Sequence, residues 1–539
     1  MSPKPSTEEK RVRKEEGLPS YDAEDVHAGT GQVINASGHV QELDRNFSLL
    51  SVTAVGITTG NVWAALGGSI VVAIYNGGAA GVLYEFIVVS VFYWGIAACL
   101  AELASAIPSA AGVYHWASVT AGSYGRSVGW FAGWWNYFAW IFGGASMSSI
   151  LANQLVSMWA LFHPDYVQER WHVFVTYLIM TWICCCTVLF FNELLPKLQS
   201  LGLYFILIGV FVTIMVCAIM PSTTGSGHAS SRFVFADWEN QTGWSSDGFV
   251  FLAGMLNGAY AVGTPDCVSH LAEELPKPRI NIPKAVLMQY IAGFVTAFCY
   301  IIALFYSITD LDAVFNSPFS FPLAEIYRQA TGSRGGSLGL LIVIFLPTVF
   351  TCMGTYITSG RMLWTLARDD ATPFSGWMGT VSKRWHNPWN ATLVCGGVCT
   401  VMGCIYVGST TAFNAFVGSF VVLTTLSYLA AIMPHMLTRR ATVVPGPFWM
   451  PNPVAYPVMF LSCGYIMMSV IIYCFPYAKP FDAQSMNYSC VITGGLTIIV
   501  GAWWLYKRTR GYVGPKALLD EERRLSIGIR GGRISSDKE

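Results

Sequence analysis

The sequence predicts an all-α polytopic membrane protein. Twelve transmembrane helices are expected, in a five-plus-five inverted repeat whose helices 1 and 6 are discontinuous. Three observations lead there. Of 539 residues, 53% are hydrophobic and only 12% charged, with mean hydropathy +0.48, whereas soluble domains carry about 25% charged residues. The apolar residues gather into runs long enough to cross a hydrocarbon core of about 30 Å as helices. Two of these runs are broken by glycine at matching places: Gly56-Ile57-Thr58-Thr59-Gly60-Asn61 and Gly258-Ala259-Tyr260-Ala261-Val262-Gly263-Thr264-Pro265-Asp266.

The spans are expected at 48–75, 79–106, 128–162, 173–191, 198–220, 247–270, 285–308, 336–360, 391–407, 412–433, 454–474 and 488–506. The third is longer than a crossing needs and should tilt or run on into a loop. With the N-terminus inside, 26 of the 31 Lys and Arg fall on the inner side: six in 1–47, nine in 507–539 and eleven in inner loops. Only Arg170, Arg232, Arg328, Arg334 and Lys479 fall outside. This asymmetry puts both termini in the cytoplasm. Segments 1–47 and 507–539 are polar and charged and read as disordered cytoplasmic tails, and 221–246 as an extracellular loop. The N-terminal segment has no apolar stretch of the signal-peptide kind.

Other classes are excluded by composition. Net charge is zero, so nothing points to nucleic acid. The fourteen cysteines lie mostly within spans, Cys184-Cys185-Cys186 among them, and read as small buried residues. No metal-ligand spacing, cofactor motif or GxxxxGK[ST] loop occurs, so neither a metal site, a cofactor nor ATP-driven pumping is expected. The intramembrane acids lack a His or Ser partner in register, which argues against an enzyme. Asn240-Gln241-Thr242 is a glycosylation sequon in a predicted outer loop. Asn487 lies too close to a span, and the sequons at Asn35, Asn46 and Asn390 fall inside.

Spans 1–5 cover 48–220 and spans 6–10 cover 247–437, with spans 11 and 12 in 438–506. An odd number of spans per repeat forces opposite orientations. Each repeat opens with a helix broken about 10 residues from its start, about 15 Å in and close to the midplane. Unwound backbone in hydrocarbon must be satisfied by protein or a cavity. A matched pair of breaks marks a transporter's substrate site; glycines that only let helices pack closely are the alternative.

Further residues add a family resemblance. Ala101-Glu102-Leu103-Ala104-Ser105, Pro108 and Ala111-Gly112-Val113-Tyr114-His115-Trp116 follow span 2. Thr264-Pro265-Asp266, His270, Glu273-Glu274 and Pro278-Arg279-Ile280-Asn281-Ile282-Pro283 follow span 6. Ser359-Gly360-Arg361-Met362-Leu363-Trp364, Ala367-Arg368-Asp369-Asp370 and Pro373-Phe374 follow span 8. In this order, across roughly 48–506, they resemble the amino acid–polyamine–organocation (APC) superfamily, fungal choline, γ-aminobutyrate and amino-acid permease branch. The resemblance implies alternating access in which spans 1, 2, 6 and 7 move against a scaffold and spans 11 and 12 are peripheral. It also implies transport of amines, amino acids or choline, commonly driven by protons. The chain departs from the pattern at Glu85, where glycine is frequent after Tyr. Span 5 lacks an internal Lys, Lys197 standing at its inner edge.

Candidate site residues follow from the breaks. Gly56, Gly60, Gly258 and Gly263 would free backbone groups. Thr58, Thr59, Gly60 and Asn61 begin a half-helix whose N–H groups and dipole suit a carboxylate; capping of helix ends is the alternative. Trp63, Tyr260 and Trp140, which follows Asn136 and Tyr137 in span 3, could present aromatic faces to a cation, or simply fill the core. Intramembrane acids are functional candidates because burying charge is costly. Asp266 could accept a proton, act as counter-ion or join a gate. Glu102 could pair with Arg361 in a closed gate or snorkel to the interface. Glu273, Glu274, Lys277 and Arg279 form an inner loop. The expected function is plasma-membrane import of choline or a related amine, coupled to protons. A γ-aminobutyrate or other amino-acid permease, or a non-transporting sensor on the same fold, are the alternatives. The partners expected are a small-molecule substrate, the proton and membrane lipid.

Overall fold

The computed structural model describes residues 26–27, 33–36, 38–408, 412–482 and 486–515. One antiparallel ladder pairs Val26–His27 (β1) with Val33–Ile34 (β2); the rest is helices and loops. Span 1 is split into α1 (Leu49–Thr59) and α2 (Val62–Ile74). Span 2 is α3 (Gly78–Ala106), followed by the short α4 (Val113–Thr120). Spans 3–5 are α5 (Gly125–Ala160), α6 (Arg170–Phe190) and α7 (Leu195–Thr224). Span 6 is α8 (Asp247–Val262) and span 7 is α9 (Pro278–Tyr306). After α10 (Leu323–Thr331), spans 8–12 are α11 (Arg334–Arg368), α12 (Trp389–Gly408), α13 (Ala412–Leu437), α14 (Asn452–Ile472) and α15 (Ser489–Arg508).

Each expected span therefore has its helix. Among the described residues nine stretches are long and apolar enough to cross a membrane, and α8 and α12 are shorter apolar helices. The twelfth, α5, has 36 residues and is about 54 Å long, diluted by Gly, Ser and Asn. Serines start key helices. Ser48 accepts from the Ser51 amide ahead of α1, Ser246 from Phe249 ahead of α8, and Ser333 from Gly336 ahead of α11. Each satisfies a donor that the first turn leaves free.

The helices sort into two groups. α1, α2, α3, α8 and α9 (spans 1, 2, 6 and 7) pack on one another; α5, α6, α11 and α12 form the other group, with α13 packed on α5. α14 lies on α13 and α3, and α15 on α13 and α5. Of α15 only Ser489 and Val500 are buried, which makes it peripheral.

Three expectations are corrected. The N-terminal tail is ordered from residue 38 onward: Leu43 and Phe47 are buried, and Gln41 Nε2 donates to the Glu273 carbonyl at 2.7 Å. Residues 507–515 also pack, with Tyr512 buried against Trp130 and its hydroxyl 2.9 Å from that of Tyr114. Apolar Leu43, Phe47 and Tyr512 anchor segments read as tails from their charge. The remaining tail residues, 1–25 and 516–539, lie outside the described set. The breaks are also narrower than expected. The first is Gly60-Asn61 alone. The second starts at Gly263, and Gly258 stays helical, where a methyl group would meet Val89 of α3. Gly258 is a packing glycine.

Both ends of the described chain lie on one face, His39 at 2.7 Å from Asp369 and Lys507 at 2.9 Å from Asp370.

Candidate functional site

The two breaks meet inside the first helix group. α1 stops because Gly60 leaves helical geometry (φ −91°, ψ 45°), and Asn61 precedes α2. α8 stops at Val262; a turn through Thr264 and Asp266 leads into a short 3₁₀ helix, Ser269–Glu274. Side chains take up the freed carbonyls. Tyr290 donates to Val262 O (2.6 Å), Gln289 Nε2 to Thr264 O (3.1 Å) and Oγ1 (3.0 Å), and Thr351 to Thr58 O (2.8 Å). A Cβ on Gly60 would stand 2.6 Å from Gln289 Nε2 and 2.7 Å from Thr264 Oγ1. Gln289 thus joins the two breaks, and glycine at 60 is what lets it. Backbone satisfaction inside hydrocarbon is supplied by protein, as it must be.

Between the breaks lies a cavity of about 20 Å³, enough for a water, so the helices are closed tightly. Its aromatic lining is Trp140, Tyr260 and Phe420; its polar lining includes Thr59, Asn61 and Thr355. Phe420 stands edge-on to both Trp140 (5.8 Å between centroids) and Tyr260 (5.7 Å). The Tyr260 hydroxyl lies 2.7 Å from Ser146 Oγ. Thr59 Oγ1 and Asn61 Oδ1 are buried without a hydrogen-bond partner. Chemically the cavity combines ring faces suited to an organic cation with unpaired oxygens suited to a donor such as an ammonium N–H.

Asp266 lies next to this lining, fully buried. Its Oδ2 accepts from Asn136 Nδ2 (2.8 Å), Trp140 Nε1 (3.1 Å) and His270 Nε2 (3.3 Å), and its Oδ1 from Tyr428 (2.6 Å). One carboxylate therefore ties the second break to α5 and α13.

On the face where both ends of the described chain lie, Arg361 is fully buried and forks onto Glu274 (2.7 and 3.1 Å) and Asn192 (3.1 Å). Arg368 forks onto Glu273 at 2.8 and 3.1 Å. Both pairs join the segment after the second break to α11. The expected Glu102–Arg361 pair does not form. Glu102 meets Arg440 (2.8 Å), His435 (3.3 Å) and the Met450 amide (2.9 Å), because α3 runs beside the end of α13, whereas Arg361 faces the 3₁₀ helix. Glu273 and Glu274, read as a loop, are buried in the 3₁₀ helix and paired to α11.

Of the candidates, Thr59, Gly60, Asn61, Trp140, Tyr260 and Gly263 gather at the breaks. Thr58 turns to Gln199 of α7 and Val55 O. Trp63 packs edge-on to Tyr300 at 5.2 Å, turned from the cavity because it follows Asn61 by half a turn of α2. Gly56 packs against Gln289, and Asn136 reaches the site only through Asp266. Phe420, Thr355, Tyr428 and Gln289 were not among the candidates; Gln289, polar within a span, carried the one available signal. Asn240 is half-buried, its Nδ2 donating to Trp244 O (2.8 Å) and Asp247 (3.1 Å), so the folded chain does not present that nitrogen freely to a glycan.

Two oppositely oriented halves, each opening with a broken helix, and a polar–aromatic cavity where the breaks meet define a multi-pass transporter of the permease type. The chain belongs to the amino acid permease family, whose model matches residues 47–496. It is 33% identical over 479 residues to a choline transporter of Saccharomyces cerevisiae, covering 88% of this chain and 83% of that one. It is 26% identical to the 7-keto 8-aminopelargonic acid transporter of the same yeast, covering 84% and 90%. A crystal structure of the Eremococcus coleocola manganese transporter shares the fold with TM-score 0.51 at 14% identity, covering 88% of this chain and 95% of that one.

Proposed function

We propose that this permease imports choline or a related small amine across the plasma membrane by alternating access, driven by a proton gradient, with both termini cytoplasmic. The observation that carries the reading is the meeting of Trp140, Tyr260 and Phe420 beside Asp266. Three ring faces and a nearby carboxylate suit a quaternary ammonium, and Thr59 and Asn61 would take its polar end. The likeness to the yeast choline transporter supports the same substrate class. The Arg361–Glu274 and Arg368–Glu273 pairs act as the inner gate, broken when the solute is released. An amino-acid substrate is the second reading, favoured by the half-helix N-terminus at Asn61, which suits a carboxylate.

The test is uptake of labelled choline into cells or vesicles under an imposed proton gradient, with unlabelled choline, γ-aminobutyrate and several amino acids as competitors. Choline should accumulate and compete best. Absence of concentrative uptake of any of these solutes would remove the reading.

A further inference from the structure

Six carboxyl side chains are buried among the described residues: Glu85, Glu102, Asp266, Glu273, Glu274 and Glu325. Five hold donors or cations. Asp266 has its four donors, Glu102 has Arg440, Glu273 has Arg368, Glu274 has Arg361 and Glu325 has Arg328 at 2.6 Å. Glu85 differs: it is 1% exposed, and neither oxygen has a hydrogen-bond partner. It sits two turns in from Gly78, the end of α3 away from the face of His39 and Lys507, and points at α8. A methyl group on Gly254 of α8 would collide with the carboxyl. Helix backbone therefore closes directly over the acid, leaving no room for a counter-ion.

No cation bonds either oxygen; the short segment Ser231–Phe235 also packs on α3, but its Arg232 is exposed and pairs with Asp237 at 2.7 Å. Tyr473, beyond α14, lies within electrostatic reach of Glu85 and bonds Tyr465 of α14 at 3.0 Å. On α3 itself, Tyr93 packs edge-on to Tyr465, its hydroxyl unpartnered. Tyr290 of α9 and Tyr428 of α13 are engaged at the second break, with Val262 O and Asp266. α8 carries only Asp247, at its far N-terminus, and Tyr260, which bonds Ser146. An ionised carboxylate in such a place has nothing to repay its desolvation, so the group takes a proton instead.

We propose that Glu85 is a proton-binding site, and that its neutral form is what allows the α8 half-helix to close on α3. α8 ends at the break, so this half-helix can tilt about Gly263 and expose Glu85 to the outer solution. There the carboxyl ionises to carboxylate and releases its proton to water as hydronium; closure requires the reverse transfer, from hydronium to the carboxylate oxygen. Low external pH thus favours closure. The consequence for transport rests on the reading above; the proton site does not.

Two measurements test it. In cells expressing the full chain, initial choline uptake should fall at least about fivefold between about pH 5 and pH 8. In Glu85→Gln, whose amide imitates the neutral acid, it should vary less than about twofold over the same range, at the rate of the wild type at low pH. Equal pH profiles in the two proteins would overturn the proposal. The second measurement needs no transport and no variant. Purified wild-type protein is treated with a hydrophobic carbodiimide, which adds to protonated carboxyls, and mapped by mass spectrometry. A Glu85 adduct that declines as pH rises is expected; no adduct at any pH overturns the site. If no solute is transported but the adduct forms, the transporter reading fails and the proton site stands. If uptake proceeds with no adduct, the reverse holds.

Discussion

Asp266→Asn is the substitution whose effect the structure defines most fully. Four donors converge on this carboxylate at 2.6 to 3.3 Å. Hydrogen bonds to a charged group contribute about 1.5–3 kcal/mol each and neutral ones about 0.5–1.5. An amide turned with its oxygen toward Asn136, Trp140 and His270 keeps the bonds but loses the charge. Its nitrogen then faces the Tyr428 hydroxyl, which must rotate to accept. At about 1 kcal/mol per bond the loss is about 4 kcal/mol, close to three powers of ten in an equilibrium constant. Because Asp266 ties the second break to both α5 and α13, the penalty falls on the closed arrangement of the cavity. Thermal melting in detergent and choline binding to the purified variant measure it. A marked drop in melting temperature and a large loss of affinity are expected. A variant that melts and binds as the wild type does would refute the assignment of Asp266 as the tie.

Three further outcomes are expected. Arg361→Ala strands Glu274 as a buried unpaired charge, which costs about 3–5 kcal/mol; buried Cys267, beside Asp266, should then alkylate faster with a maleimide, read by mass spectrometry, and an unchanged rate would dismiss the gate. Tyr260→Phe removes the hydroxyl that lies 2.7 Å from Ser146 but keeps the ring, so the KM for choline should change by less than about tenfold, one hydrogen bond's net contribution. Burial pushes His115, in the loop helix α4, down to about 4, with Asp369 opposing. The folded protein keeps this ring neutral while an unfolded chain binds a proton below about pH 6.5. The stability involved is present above that pH and lost as pH falls toward 4, so melting temperature should drop over that window, and less steeply in His115→Gln.

Much of the fold was legible because hydrocarbon permits few solutions. Runs of apolar residues must be helices, and charge counts orient them. The breaks were legible as glycine, yet Gly258 and Gly263 read alike in sequence. What separates them is Val89 of α3, a neighbour on another element. The same limit explains the side chains. Tyr428 lies 162 positions from Asp266 and Arg361 lies 87 from Glu274, and no local pattern announces either pairing. Glu102 was matched to the wrong arginine because both candidates lie at the same end of the bundle. Trp63 was near the break in sequence but is rotated to Tyr300, whereas Phe420, in an unbroken span, closes the cavity. Chain proximity locates a break; helix rotation decides which aromatic faces it.

The central claim is that an organic cation sits against the rings that meet between the breaks. Equilibrium binding of labelled choline to purified wild type and Phe420→Ala tests it most directly, since Phe420 touches both Trp140 and Tyr260 and bonds nothing through polar atoms. Loss of one ring of the cage should weaken binding by about 1–2 kcal/mol, about five- to thirtyfold, with the variant still folded by size-exclusion and melting. Wild-type affinity in a folded Phe420→Ala protein would contradict the claim.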